Sequence, residues 1–194
     1  MAEPLLAVDR ITCRFGGLLA VNAASLSAAE GRITALIGPN GAGKTTLFSI
    51  ISGFIKANAG SVRYAGEDIT GELPHRLARR GIARTFQTVQ PFAGLSVREN
   101  ILVGAHLHDR ARDAAIAAAD QIGHDVGLGE FLDRQADTLT VAGRKRLELA
   151  RALATRPMAE LIESSADCAA AAVETDTLVR MQSQQFRHAR QAHI

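Results

Sequence analysis

Residues 5–15 and 20–27 alternate apolar and polar side chains, the period of a half-buried strand, and Gly16-Gly17 breaks the first run. Glu30-Gly31 reads as a turn ahead of Ile33-Thr34-Ala35-Leu36-Ile37, a run apolar on both faces, as a central parallel strand is. A glycine-rich turn over 38–43 gives way to a helical stretch from Lys44 to about Ser52, with Gly53 as its C-cap. Residues 60–71 predict a hairpin turning at 65–68, Pro74 opens a helix over 74–80, and 81–87 returns to strand. From Ser96 the period becomes helical, with Val97, Ile101, Leu102 and Ala105 on one face, and the Ala-rich stretch 111–122 continues it. The pattern predicts a helical insert over roughly 91–136, then a last helix over 143–155 that stops ahead of Pro157. The tail, 158–194, ends in Gln, His and Arg and carries no long buried-strand signal.

Composition adds limits. Hydrophobic residues make up 47% and charged residues 22% of the 194, a globular balance that excludes wholesale disorder. The formal charge of +2 gives no electrostatic case for nucleic acid or an anionic membrane surface. With no Trp, one Tyr and seven Phe, the chain is poor in platforms for stacking bases, so no nucleic-acid partner is expected. Cys13 and Cys168 lie far apart and outside any CxxC, which leaves no disulfide framework or zinc site and points to a reducing cytoplasm. No run of 18 apolar residues is present, and the N-terminus lacks the pattern of a signal peptide.

The candidate chemistry is concentrated at Gly38-Pro39-Asn40-Gly41-Ala42-Gly43-Lys44-Thr45-Thr46, a full match to G-x-x-x-x-G-K-[ST] between a buried strand and a helix. The glycines permit a loop whose N–H groups converge on phosphates, Lys44 adds a point charge, and the Thr45 hydroxyl can ligate Mg²⁺. The bland alternative is a glycine-rich turn without a ligand.

Beside this loop stand Arg14-Phe15-Gly16-Gly17-Leu18-Leu19-Ala20-Val21, Arg84-Thr85-Phe86-Gln87, Ser96-Val97-Arg98-Glu99-Asn100 and Leu147-Glu148-Leu149-Ala150-Arg151-Ala152-Leu153. Together they make residues 5–157 resemble the ATP-binding subunits of ABC transporters, of the branched-chain amino-acid importer type. The resemblance implies an α/β P-loop NTPase core with an antiparallel β subdomain and a helical insert, the ATP-binding domain spanning 1–157. It implies ATP and Mg²⁺ as cofactors. Phe15 would stack on adenine with Val21 bordering the ring; the alternative is an ordinary strand-end residue. Gln87 would contact Mg²⁺ and the attacking water. The partners implied are transmembrane permease subunits and a second ATP-binding subunit, with the chain held at the inner face of the cell membrane through the permease.

The chain departs from the pattern twice. The family's signature, near Leu-Ser-Gly-Gly-Gln, is matched by Leu139-Thr140-Val141-Ala142-Gly143, which keeps a hydroxyl but loses the glycine pair and the glutamine. After Arg156-Pro157 the family expects aliphatic residues and then Asp-Glu, the Walker B pair that orders Mg²⁺ and supplies a general base. Here the run is Met158-Ala159-Glu160-Leu161-Ile162-Glu163-Ser164, which puts Glu163 at the Asp position and Ser164 at the base position. Walker B is missing, and the family strand that carries it is expected beside the P-loop strand. The polar His188 and His193 are not expected to act as a switch histidine, and His106-x-His108-Asp109 is not expected to bind metal, because positions two apart diverge on a helix.

The change after Pro157 is that of a truncation or an altered reading frame, leaving 158–194 as an aberrant tail and the fold incomplete at its C-terminal side. Three readings stay open on the residues: an importer ATPase with weakened hydrolysis, a catalytically inactive nucleotide-binding module, and a non-functional fragment.

Overall fold

The first two strands owe their shape to a fault in the alternation. In β1 (Leu6–Phe15) the buried positions run Leu6, Val8, then Ile11 and Cys13, so one step is three residues long. A β-bulge at Asp9-Arg10 absorbs the extra residue: pairing with β2 (Leu18–Ala28) shifts register between Val8 and Ile11, and Arg10 takes a φ of 46°. The bulge is seated on Gly60, whose Cβ, if it had one, would lie 2.5 Å from the carbonyl oxygens of both Asp9 and Arg10. Gly60 belongs to β4 (Ala59–Tyr64), which pairs with β1 on its other side and returns through Ala65-Gly66 into β5 (Glu67–Asp68). Both turn residues have positive φ, 51° and 81°, the twist that a two-residue hairpin needs. The sheet order is β2-β1-β4-β5, all antiparallel.

The computed structural model describes residues 4–85, 90–109, 111–163 and 177–181. The chain divides into two units, one of residues 1–84 with 158–194, the other of residues 85–157.

In the first unit a second sheet has the order β3-β8-β7-β6, formed by β3 (Ile33–Ala35), β6 (Ile82–Arg84), β7 (Ala159–Glu163) and β8 (Thr177–Met181). Strands β6 and β7 are parallel, whereas β8 runs antiparallel to both β7 and β3. Two expectations change here. The segment after Pro157 does form a strand, with Ala159 and Leu161 buried, and it does not lie beside β3, because β8 takes that place. Nor is β3 covered on both faces: Ile33 is 64% and Ile37 68% exposed, with Ala35 exposed between them. The run is half-buried on one face, at Thr34 and Leu36, and exposed on the other.

Helix α1 (Lys44–Ile51) is buried all round from Leu47 to Ile51: Leu47, Phe48, Ile50 and Ile51 are apolar, and Ser49 is the one polar side chain among them. Phe48 and Ile51 join Leu6, Ile11, Val62 and Leu161 in the core of the unit. The helix ends on Ser52 as C-cap, and Gly53 follows with φ 77°, one place beyond its expected role. Helix α2 (Pro74–Arg80) starts on its proline and stops at Gly81, φ 92°.

The second unit is helical: α3 (Val97–Ala105), α4 (Arg112–Asp125) and α5 (Val141–Ala154), with short 3₁₀ turns at Gly129–Phe131 and Ala136–Thr138. Ser96 and Glu99 form a capping box at the start of α3. Its core draws on Val97, Ile101, Ala119, Leu132, Leu147 and Ala150. Small residues let the helices approach, since a Cβ on Gly104 would meet the Arg151 carbonyl at 2.7 Å. Arg98 fastens the bundle from outside, donating to Asp120 at 2.5 Å and to Asp133. No helix among the described residues is long and apolar enough to cross a membrane.

Candidate functional site: a phosphate-binding loop

The chain leaves β3 at Ala35 and enters α1 at Lys44, and the residues between form a loop closed on itself. Ala42 donates its N–H to the Pro39 carbonyl at 3.2 Å, and Gly41 and Gly43 both take φ 85°, a left-handed conformation that costs other residues about 1–2 kcal/mol. At Gly43 there is a second requirement. A Cβ there would sit 2.3 Å from the Ala20 carbonyl oxygen and 3.2 Å from Val21 Cγ2, so β2 is packed directly under the last residue of the loop. Nothing in the sequence signals Ala20, because it acts through its backbone.

The Lys44 ammonium donates to the carbonyls of Gly38 at 2.5 Å and Pro39 at 3.0 Å, holding a positive charge against the mouth of the loop. Helix α1 has Gly43 as N-cap, no side-chain cap and no acidic residue in its first turn. Its first N–H groups and the positive end of its dipole are therefore offered to an anion instead of being spent on a carboxylate. Pro39, Asn40, Gly41, Ala42 and Thr45 are exposed, while Gly38, Lys44 and Thr46 are half-buried. This donor set fits a polyphosphate: backbone N–H groups, one ammonium and one hydroxyl, with no anionic side chain among them. Among the described residues no cluster of three His, Cys, Asp or Glu could hold a metal. A Mg²⁺ ion here would draw on the Thr45 hydroxyl, with the remaining oxygens coming from phosphate and water, as this ion commonly arranges.

Phe15 ends β1 at 48% exposure, in register with Leu18. Val21 pairs with Cys13 and is buried at 7%. Cys13 and Phe15 share one face of β1, so Phe15 extends the row begun under the loop by Cys13 and Val21 out to the surface. Gln87 lies outside the described residues, as do Ser164, His188, His193 and Cys168.

In the second unit Thr140 is the N-cap of α5, its Oγ accepting from the Gly143 N–H at 3.1 Å, so the helix begins at Val141, two residues before its expected start. His108 Nε2 lies 2.8 Å from the Thr155 carbonyl, to which it donates, and Arg156 pairs with Asp109 at 2.5 Å. The His-x-His-Asp run thus clamps the end of α5.

A strand, a glycine loop closed by its own lysine, and a helix that starts without a side-chain cap define a P-loop nucleotide-binding protein. The chain belongs to the ABC transporter family, whose profile matches residues 21–162. It is 39% identical to the high-affinity branched-chain amino acid transport ATP-binding protein BraF of Pseudomonas aeruginosa, over 86% of this chain and 71% of that one. A probable branched-chain amino acid transport ATP-binding protein, LivG of Methanocaldococcus jannaschii, is 35% identical over 79% of this chain and 65% of its own length. Among solved structures, a nucleotide-free ATP-binding cassette from an ABC transporter superposes with a TM-score of 0.74 at 33% identity, covering 83% of this chain and 69% of that one. A cassette in its ADP conformation gives the same TM-score and identity over 88% and 72%. The fold is that of the ABC ATPase cassettes.

Proposed function

We propose that this chain is the ATP-binding component of an ABC importer for branched-chain or related amino acids. It binds Mg-ATP and works with transmembrane permease subunits and a second ATP-binding subunit, at the inner face of the cell membrane. The observation that carries the reading is the seat of Gly43 on Ala20, which fixes the end of the loop at the start of α1, with Lys44 held on the loop carbonyls. The printed names of its relatives support the importer class and the solute.

In this reading the loop N–H groups and Lys44 bind the phosphates, Thr45 helps to hold Mg²⁺, and Phe15 offers a partly exposed ring to adenine beside Val21. Mg²⁺, held with the help of Thr45, would supply neutralisation of the phosphate charge. Gln87, by the family resemblance, would contact Mg²⁺ and orient the attacking water. Hydrolysis is slow in this chain, because Glu163 and Ser164 stand where the Asp-Glu pair is expected and a serine hydroxyl is no general base at neutral pH.

The test is a thermal melt of the purified chain with and without Mg-ATP, beside Lys44→Ala. A cooperative transition raised by Mg-ATP in the parent alone supports the reading. Identical melts for parent and variant, with and without nucleotide, overturn it.

A further inference from the structure

The far end of the phosphate helix is held by a residue of another strand. Ser49 and Ser52 lie three apart on α1, 8% and 4% exposed, and each sends its hydroxyl proton back to the carbonyl four residues earlier: Ser49 to Thr45 at 2.7 Å, Ser52 to Phe48 at 2.6 Å. Their oxygens can then accept, and both do so from one nitrogen. Arg84 Nη1, at the end of β6, donates to Ser49 Oγ at 3.0 Å and to Ser52 Oγ at 2.9 Å. The guanidinium also lies over the Phe54 ring, 5.6 Å from its centroid. No basic residue occupies the last turn of α1 itself, so Arg84 brings to the negative end of that helix the charge its own sequence lacks.

The bonds form one continuous path, from Arg84 through Ser49 Oγ to the carbonyl of Thr45 in the first turn of α1. Serines that bond back to their own helix loosen it, because the hydroxyl competes for the i−4 carbonyl. A charged donor on the serine oxygen polarises the hydroxyl and strengthens that bond. We propose that Arg84 is a positioning residue for nucleotide: it braces the phosphate helix through Ser49, so that the first turn carrying Lys44 and Thr45 is set before Mg-ATP arrives. This rests on the nucleotide reading above. Without the brace, binding must order that turn at its own expense, which weakens affinity.

The test measures the dissociation constant of Mg-ATP and the ligand-free melting temperature for the full chain, Lys44→Ala, Arg84→Gln, Arg84→Lys, Ser49→Ala and the pair Arg84→Gln/Ser49→Ala. The expected result is a weakening of about tenfold in Arg84→Gln, the worth of one charged hydrogen bond. Ser49→Ala weakens binding about threefold or more, and in the Arg84→Gln background it adds nothing, the mark of a shared path. A lysine, which keeps the charge but lacks the planar guanidinium that lies over Phe54, restores only part of the loss. If Arg84→Gln binds Mg-ATP within about twofold of the parent while its melting temperature falls, the arginine is a packing element and the inference fails alone. If Arg84→Gln does not fold, Ser49→Ala decides: unchanged affinity there overturns the inference. A parent that binds no better than Lys44→Ala removes the nucleotide reading and the inference together.

Discussion

Gly43 is pressed against Ala20: a side chain on the glycine would place its first carbon 2.3 Å from the Ala20 carbonyl oxygen, a backbone atom that cannot swing away. Gly41 has the same φ of 85° and nothing within 4 Å of its missing Cβ. The two substitutions to alanine therefore separate strain from collision. Gly41→Ala should cost about 1–2 kcal/mol, the left-handed penalty alone. Gly43→Ala adds displacement of the loop from β2, and the expected outcome is a chain that still melts but whose transition Mg-ATP no longer raises. Calorimetric melts of both variants with and without nucleotide check it.

How much of this was legible beforehand depended on whether a feature is local. The P-loop, the helix it opens and the turn to helix at Ser96 are set by residues close in sequence, and each stands where the pattern put it. Non-local pairing was not legible. The apolar run at Ile33 predicted a strand with two covered faces, yet which strand lies beside it is a matter of topology, and β8 comes from more than 140 positions downstream, where the pattern predicted no strand. The bulge at Asp9-Arg10 was visible only as an odd spacing between Val8 and Ile11, and its glycine seat came from another strand. At the site, the sequence named the loop but not what supports it. Ala20 acts through a carbonyl and Arg84 through two serines, and although both lie in stretches that carry the family resemblance, the sequence assigned neither of them a role.

The helical unit offers a substitution away from the nucleotide loop. On Gly104, a Cβ would lie 2.7 Å from the Arg151 carbonyl and 2.9 Å from Ala154 Cβ, so α3 and α5 must move apart to admit it. Gly104→Ala is expected to cost about 1–3 kcal/mol, typical of overpacking. That lowers the melting temperature by about 2–4 °C for each kcal/mol in a chain of this size. The rise produced by Mg-ATP should persist, and a melt with and without nucleotide reads both.

Stability toward acid has one assignable contribution at the start of α3. Hydrogen bonds from the Ser96 backbone and side chain hold the Glu99 carboxyl below its ordinary value of 4.5. A carboxylate favoured by the fold adds stability that is present above that ordinary value and disappears as pH falls through the lowered one. Glu99→Gln keeps an oxygen for the Ser96 N–H, whose partner stands at 2.7 Å, but does not titrate. The stability difference between parent and Glu99→Gln should therefore be constant near neutrality and shrink in acid, measured by urea unfolding across that range.

The end of β7 allows the catalytic deficit to be tested by repair. Strand β7 runs parallel to β6 and ends at Glu163, and the family resemblance would put the acidic pair at positions 163–164 of the sequence. Two things are wrong with the present pair. Glu163 is one methylene longer than the aspartate expected, and Ser164 offers a hydroxyl where a carboxylate would take a proton from water. Glu163→Asp alone leaves the base missing, so phosphate release should stay at the parent level. Adding Ser164→Glu supplies the base, and release in a single-turnover assay should rise by about 10²–10⁴, the usual yield of a positioned general base. The same double substitution with Lys44→Ala should return to background, which ties any gain to the loop. Should the repaired chain bind Mg-ATP yet hydrolyse it no faster, the obstacle lies in the sheet instead of the side chains. The antiparallel β8 between β7 and β3 would then set the strand end apart from the phosphate loop, and no exchange at 163–164 would bring a base to the water.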